Sequence, residues 1–231
     1  MALINSRLAL AAELVEMAEV VADIGTDHAL LPIYMLAKGI AKRVIACDIA
    51  KGPLSVAEEN VIKKGVADRI SLRLADGLAG VLPGECDAVT ITGMGGETIA
   101  GIIDRAPWLK EERQTLVLQP MSCDDRLRAY LNNNGFSILK ENAVFSAGRV
   151  YTVIKAEYTG EAPKTSPEYI YIGRLLEDNP KSAELSFVKK RLDSMKKCLA
   201  EITGVERRQD LWSELSAAIP FVERKLKEAE K

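Results

Sequence analysis

Val20-Val21-Ala22-Asp23-Ile24-Gly25-Thr26-Asp27-His28-Ala29 is the stretch whose reading decides the fold. A short apolar run closes on an acid, and a glycine then lets the chain turn into a helical pattern. A second apolar run, Arg43-Val44-Ile45-Ala46-Cys47-Asp48, ends in another acid 23 residues after Gly25. Strand, tight turn, crossover helix and a second strand tipped by a carboxylate form the layout of a nucleotide-like ligand site. The second acid stands where it can accept from ribose hydroxyls.

Outward from this unit, apolar runs predict further strands at 70–75, 86–92 and 114–119, beside those at 19–24 and 43–48. Helical patterns fall between and after them, at 29–38, 53–65, 96–106 and 124–134. Pro32 and Pro53 sit near helix starts, where a missing N–H costs little, and Gly39, Gly65 and Gly135 sit just past helix ends. This alternation predicts a parallel sheet covered on both faces. After Gly135 the rhythm changes: Phe136 to Phe145 and Val150 to Tyr158, joined through Ser146-Ala147-Gly148-Arg149, predict a β-hairpin closing the sheet. An α/β sheet with an antiparallel C-terminal hairpin is the Rossmann-like class I fold expected of S-adenosylmethionine methyltransferases.

The segment 159–167, with two prolines and a glycine, reads as a linker between a domain at 1–158 and a helical one at 168–231. Beyond it Leu185, Val188, Leu192, Met195, Leu199 and Ile202 trace a coiled-coil seam, which Gly204 breaks. Leu211, Leu215, Ala218 and Val222 repeat the pattern on a second helix, which Pro220 should bend. An antiparallel helical hairpin is expected, and packing or dimerisation would explain it as well as any binding role.

Composition excludes several classes. The chain has 231 residues, 48% hydrophobic, with a net charge of −2, so there is a core to bury and no global positive field. The N-terminal segment carries Glu13 and Glu16 and reads as an amphipathic helix rather than a leader, and no apolar run reaches transmembrane length. Cys47, Cys86, Cys123 and Cys198 lie far apart, without the spacing of a disulfide frame or a metal site. A cytoplasmic protein with reduced thiols, no metal and no evident obligate protein partner is the expectation.

The turn after Gly25 departs from a dinucleotide site, which needs glycines so that backbone can approach a pyrophosphate. Asp27 there would repel a pyrophosphate but suits a ligand carrying sulfonium and ammonium groups, as in S-adenosylmethionine. Asp23 is then the partner for the ammonium, and Asp48 for the ribose hydroxyls. Asp76, with Gly77 allowing the turn, ends the third strand and can accept from the adenine amino group. The fourth strand runs into Thr92-Gly93-Met94-Gly95-Gly96, where enzymes acting on exocyclic amines commonly carry Asn/Asp-Pro-Pro-aromatic. The glycines leave bare backbone and room for a planar acceptor, and a ring nitrogen needs orientation more than deprotonation. They would equally serve a helix entrance packed on the sheet. His28, the single histidine, is a site-lining or a structural residue.

Together these residues resemble the bacterial tRNA (adenine-22-N1)-methyltransferases, the TrmK family. The resemblance runs from Ser6-Arg7-Leu8 through Ala22-Asp23-Ile24-Gly25-Thr26-Asp27-His28-Ala29 and Leu31-Pro32-Ile33-Tyr34. It continues at Lys51-Gly52-Pro53, Asp76-Gly77-Leu78, Gly93-Met94-Gly95-Gly96, Leu118-Gln119-Pro120 and Arg126-Leu127-Arg128. It implies methyl transfer from S-adenosylmethionine to N1 of adenine 22 in tRNA. By motif position it implies Asp23, Gly25, Asp27, His28, Asp48, Asp76 and Gly77 around the cofactor, with Gly93, Met94 and Gly95 beside the acceptor. Asp27 is the expected carboxylate near the base as it becomes cationic.

A tRNA substrate must be held by positive charge. Lys189, Lys190, Arg191, Lys196 and Lys197 cluster on the first coiled-coil helix and are expected on phosphates, with Arg7, Arg126 and Arg128 near the mouth of the site. A methyltransferase of a small molecule, with the hairpin as lid or dimer contact, is the alternative.

Overall fold

A computed structural model describes residues 4–111, 114–161, 168–177 and 180–231. Its first half alternates as expected: α1 (Ser6–Val15), β1 (Ala18–Ile24), α2 (Leu30–Ala37), β2 (Ala41–Asp48), α3 (Lys51–Lys63) and β3 (Ile70–Leu74). There follow β4 (Ala88–Gly95), α4 (Gly96–Asp104), β5 (Thr115–Ser122), α5 (Asp124–Asn133), β6 (Phe136–Ser146) and β7 (Arg149–Tyr158). The strands form one sheet in the order β3-β2-β1-β4-β5-β7-β6. The first five are parallel, and β7 runs antiparallel to both β5 and β6. Ala147 and Gly148 both have positive φ, as a two-residue hairpin turn of the twist-matched kind requires.

Apolar side chains alternate to the two faces, so the sheet carries a core on each. One is built with α1 and α2 from Leu8, Ala11, Met35, Val44 and Val117; the other lies under α4 and α5, from Ile24, Ile91, Ile99, Leu118 and Leu127. Ala11 and Ala12 are fully buried, so α1 lies close on β5 to β7, and Asn5 caps it by accepting from the Leu8 amide at 2.9 Å.

β4 runs past the expected end at residue 92 to Gly95, with irregular register on β5 between Thr92 and Gly95. Gly93, at φ +80°, lets the strand keep pairing through that kink. At the start of α4 a Cβ on Gly96 would stand 2.2 Å from the Cys123 carbonyl oxygen. This glycine is therefore fixed by close packing of the two loops.

The C-terminal part comprises the short α6 (Tyr169–Ile172), α7 (Ser182–Ile202) and α8 (Gln209–Ala229), the last two packed as a hairpin around Val188, Leu192, Met195, Leu215, Ala218 and Val222. Leu185, Leu199 and Leu211 are half-buried on its edge, and α8 continues through Pro220. Residues 162–167 of the expected linker lie outside the described residues.

A buried ion cluster fastens these helices to the sheet. Arg128 of α5, 1% exposed, donates to Glu141 of β6 at 2.7 and 3.1 Å and to the Ile170 carbonyl at 2.8 Å, and meets Asp124 at 2.7 Å. Arg191 of α7 closes on Asp124 from the other side. Glu184 of α7 accepts from the Ala143 amide of β6 at 2.9 Å. Burial works against the guanidinium's charge, but Glu141 and Asp124 outweigh it and hold Arg128 protonated above arginine's ordinary range. This corrects the expectation for Arg128. Its donors are committed inside the protein, so it offers nothing to an RNA phosphate.

Candidate active site

The C-terminal ends of β1, β2 and β4 open on one cleft of about 340 Å³, lined by Asp23, Gly25, Asp27, Asp48, Thr92, Gly93 and Met94, with Asn5, Arg7 and Leu8 of the α1 region on its other wall. Its place is the one open α/β sheets reserve for ligands, and its size lies within the range of small-molecule sites.

Asp23 forms the floor. It is 3% exposed, accepts from the Thr90 hydroxyl at 2.7 Å, and has no cationic partner among the described residues. Burial pushes its carboxyl up to about 6; the Thr90 and Thr26 hydroxyls pull the other way and are outweighed. A carboxylate kept from water with no cation is expensive, and it marks a place where a cationic group can bind.

The turn above it is held tightly. The amides of Gly25 and Thr26 both donate to the Cys47 carbonyl at 2.9 Å, which ties the turn to β2. Gly25 has φ +75°, and a Cβ there would fall 2.1 Å from the Met94 methyl, so the glycine serves both the turn and a close contact across the cleft. His28 and Ala29 are both left-handed, and α2 therefore begins at Leu30 rather than at 29. Asn60 of α3 fixes this bend by donating to the His28 carbonyl at 3.0 Å. Asp27 stands at the lip with 77% of its side chain exposed and the His28 ring nitrogen 3.4 Å away. Asp48, half-buried, uses one oxygen to accept from the Ala50 amide at 2.8 Å and leaves the other available.

On the opposite wall Gln119 of β5 is fully buried. Its carbonyl oxygen accepts from the Gly93 amide at 3.1 Å and from the Arg7 guanidinium, while its amide nitrogen donates to the Pro120 carbonyl at 2.6 Å. Spacing along the chain assigns Gln119 no role, because its partners come from elements 26 and 112 residues away. Arg7 faces into the cleft, with its guanidinium carbon 5.8 Å from the centre of the Tyr151 ring.

Not every expected site residue converges here. Asp23, Gly25, Asp27 and Asp48 share the cleft with Gly93 and Met94, whereas His28, Asp76, Gly77 and Gly95 do not line it. Asp76 is turned 3.4 Å from Arg105 at the end of α4. Gly77, at φ +56°, packs against Ile102, and Gly95 lies beside Ser122 and Thr98. Among the cations, Arg126 is exposed and paired with Glu97 at the start of α4. Lys189 pairs with Glu230 and Lys196 with Glu223, each at 2.6 Å, while Lys190 and Lys197 are exposed and have no ion pair among the described residues.

Comparison with known proteins identifies the fold and the family. A methyltransferase-domain family model matches residues 4–154. Sp1610 of Streptococcus pneumoniae, a candidate tRNA (m1A22) methyltransferase solved in complex with S-adenosyl-L-methionine, superposes with TM-score 0.82 at 30% identity, over 97% of this chain and all of that one. The chain belongs to the TrmK family of methyltransferases. The Bacillus subtilis TrmK structure, an m1A22 tRNA methyltransferase, superposes with TM-score 0.85 at 28% identity, covering 98% of this TrmK-family chain and 100% of that one. At the sequence level, the tRNA (adenine(22)-N(1))-methyltransferase of Bacillus subtilis is 36% identical over 154 residues, which span 67% of this chain and 65% of that relative. The superpositions cover the C-terminal helices as well as the sheet.

Proposed function

We propose that this TrmK-family chain transfers a methyl group from S-adenosylmethionine to N1 of adenine 22 in tRNA. The observation that carries the reading is Asp23: a buried carboxyl with no cation among the described residues, at a strand end, in one cleft with Asp48. When bound, the donor supplies an electrophilic methyl group on a sulfonium centre. Asp23 binds its ammonium, Gly25 shapes the turn that admits it, and Asp48 accepts from the ribose hydroxyls. Asp76 and Gly77 serve the adenine end; the exposed contact of Asp76 with Arg105 is weak enough to give up. His28 supports the lip through its backbone and ring.

Gly93, Met94 and Gly95 seat the acceptor base, which leaves its stack to reach the cleft at a cost of a few kcal/mol. Asp27, exposed at the lip, stabilises positive charge as it grows on that base. Residues 1–158 form the transfer domain and 168–231 an RNA-holding arm, whose Lys189, Lys190, Lys196 and Lys197 meet phosphates together with Arg126 beside the cleft, while Arg191, expected with them, is held by Asp124 and Asp125. No obligate protein partner is needed, and the cytoplasm, where tRNA is found, is the place of action.

The test is methyl transfer by the purified full chain to an unmodified tRNA transcript, mapped by the reverse-transcription stop at N1-methyladenine. A stop at position 22, lost in a transcript with guanine there, is the expected result. Transfer to another base, or none, overturns the proposal.

A further inference from the structure

Asp23 has an opposite in the same cleft. Among the described residues Arg7 is the single cation lining a cleft that also carries Asp23, Asp27 and Asp48. A guanidinium has five N–H donors, yet among the described residues Arg7 makes one hydrogen bond, to the Gln119 oxygen, and no ion pair. It is half-buried, and burial pulls its pKa below arginine's ordinary value, against Tyr151 and Asp27, which raise it. One cleft thus holds a desolvated anion lacking a cation and a desolvated cation lacking an anion. A zwitterion with its two charges one carbon apart answers both.

We infer that Arg7 binds the α-carboxylate of the donor's amino-acid end, and that Gln119 is the positioning residue that aims it. This rests on the donor reading above and goes beyond it, since Arg7 was expected on RNA. With the ammonium on Asp23, the carboxylate must fall within a few ångströms, and Arg7 is the cation there to receive it. A phosphate would have to enter past three carboxylates to reach the same donors. Gln119 is set for its task, because its amide nitrogen is taken by the Pro120 carbonyl and its oxygen is thereby turned to Arg7. The same oxygen holds the Gly93 amide. A Cβ on Gly93 would stand 3.4 Å from Arg7 Nη1, so glycine there keeps the donors uncovered. The Tyr151 ring supports the guanidinium from β7.

The experiment is calorimetric titration of the full chain with S-adenosylhomocysteine and with its decarboxylated analogue, which keeps the amine. Wild type should bind the carboxylate-bearing ligand about 10- to 100-fold more tightly, the effect of one charge-assisted hydrogen-bonded pair. In Arg7→Met that preference should vanish while the analogue binds as to wild type. In Gln119→Leu it should shrink without change in affinity for the analogue, a selectivity that general loss of structure would not produce. Arg7→Lys, which keeps the charge without the fork, should retain part of the preference and serves if Arg7→Met does not fold.

A preference undiminished in Arg7→Met overturns the inference, and if tRNA affinity falls instead, Arg7 is a phosphate contact. Equal binding of the two ligands by wild type overturns it while leaving the donor reading intact. Binding of neither removes both.

Discussion

Asp23 and Glu141 are both carboxylates buried in the same sheet domain, and their surroundings differ in one respect. Glu141 receives two N–H groups of Arg128, the Arg174 amide and no solvent, whereas Asp23 receives the Thr90 hydroxyl and, among the described residues, no cation. The first is a finished structure: α5, β6 and the C-terminal helices are joined through a charge cluster whose members neutralise one another. The second is unfinished until a cationic group arrives. Burial by itself therefore does not mark a functional acid; burial without a partner does.

The largest way to break this contrast is to make Glu141 resemble Asp23 in reverse. Glu141→Ala leaves Arg128 buried with Asp124 alone and should cost about 3–5 kcal/mol in denaturant unfolding. Replacing both Arg128 and Glu141 by apolar residues of similar volume should cost much less. A loss in Glu141→Ala below about 1 kcal/mol would mean that the cluster is not what joins the parts.

Asp23→Asn should do the opposite. The folded-state carboxyl at about 6 lies above its ordinary 3.8, so charging it in place lowers stability, an effect that is absent below about pH 4 and complete above about pH 6. The Asn variant escapes that cost and should be more stable than wild type by up to about 3 kcal/mol at pH 7.5, with little difference at pH 4. Its affinity for S-adenosylhomocysteine should nevertheless collapse. In wild type that affinity should rise with pH up to about 6, by at most about tenfold per unit, and level off above 7. A flat profile, or a variant that loses stability at pH 7.5, would show Asp23 to be an ordinary buried acid.

The smallest expected effect tests the arm. Lys190→Gln and Lys197→Gln change exposed cations that have no ion pair among the described residues, so stability should hold while the salt dependence of tRNA binding weakens by about one unit of slope for each. Unchanged slopes in both would remove the arm's lysines from the RNA path.

Much of this molecule is legible along the chain. Alternating strands and helices, an acid closing β1 and β2, and a Gly-rich end to β4 were enough to expect the sheet, its hairpin and a cleft at that edge. Such features depend on neighbours a few residues apart, which sequence spacing reports directly. Asp76 and Arg128 show where this stops. Both fit a functional pattern by spacing, yet Asp76 faces Arg105 from 29 residues away and Arg128 is enclosed by Glu141 and Ile170.

By itself the sequence determined the order of elements, the sharp turn at Gly25 and the carboxylates at the strand ends, because backbone periodicity and glycine's conformational freedom are local properties. Only the tertiary structure decided which charges are satisfied and which stand open: Arg128 closed on Glu141, Arg7 aimed by Gln119, Asp23 left without a cation. Electrostatics in a low-dielectric interior is settled by what lies within a few ångströms in space, and the chain brings those partners together from up to 112 residues apart.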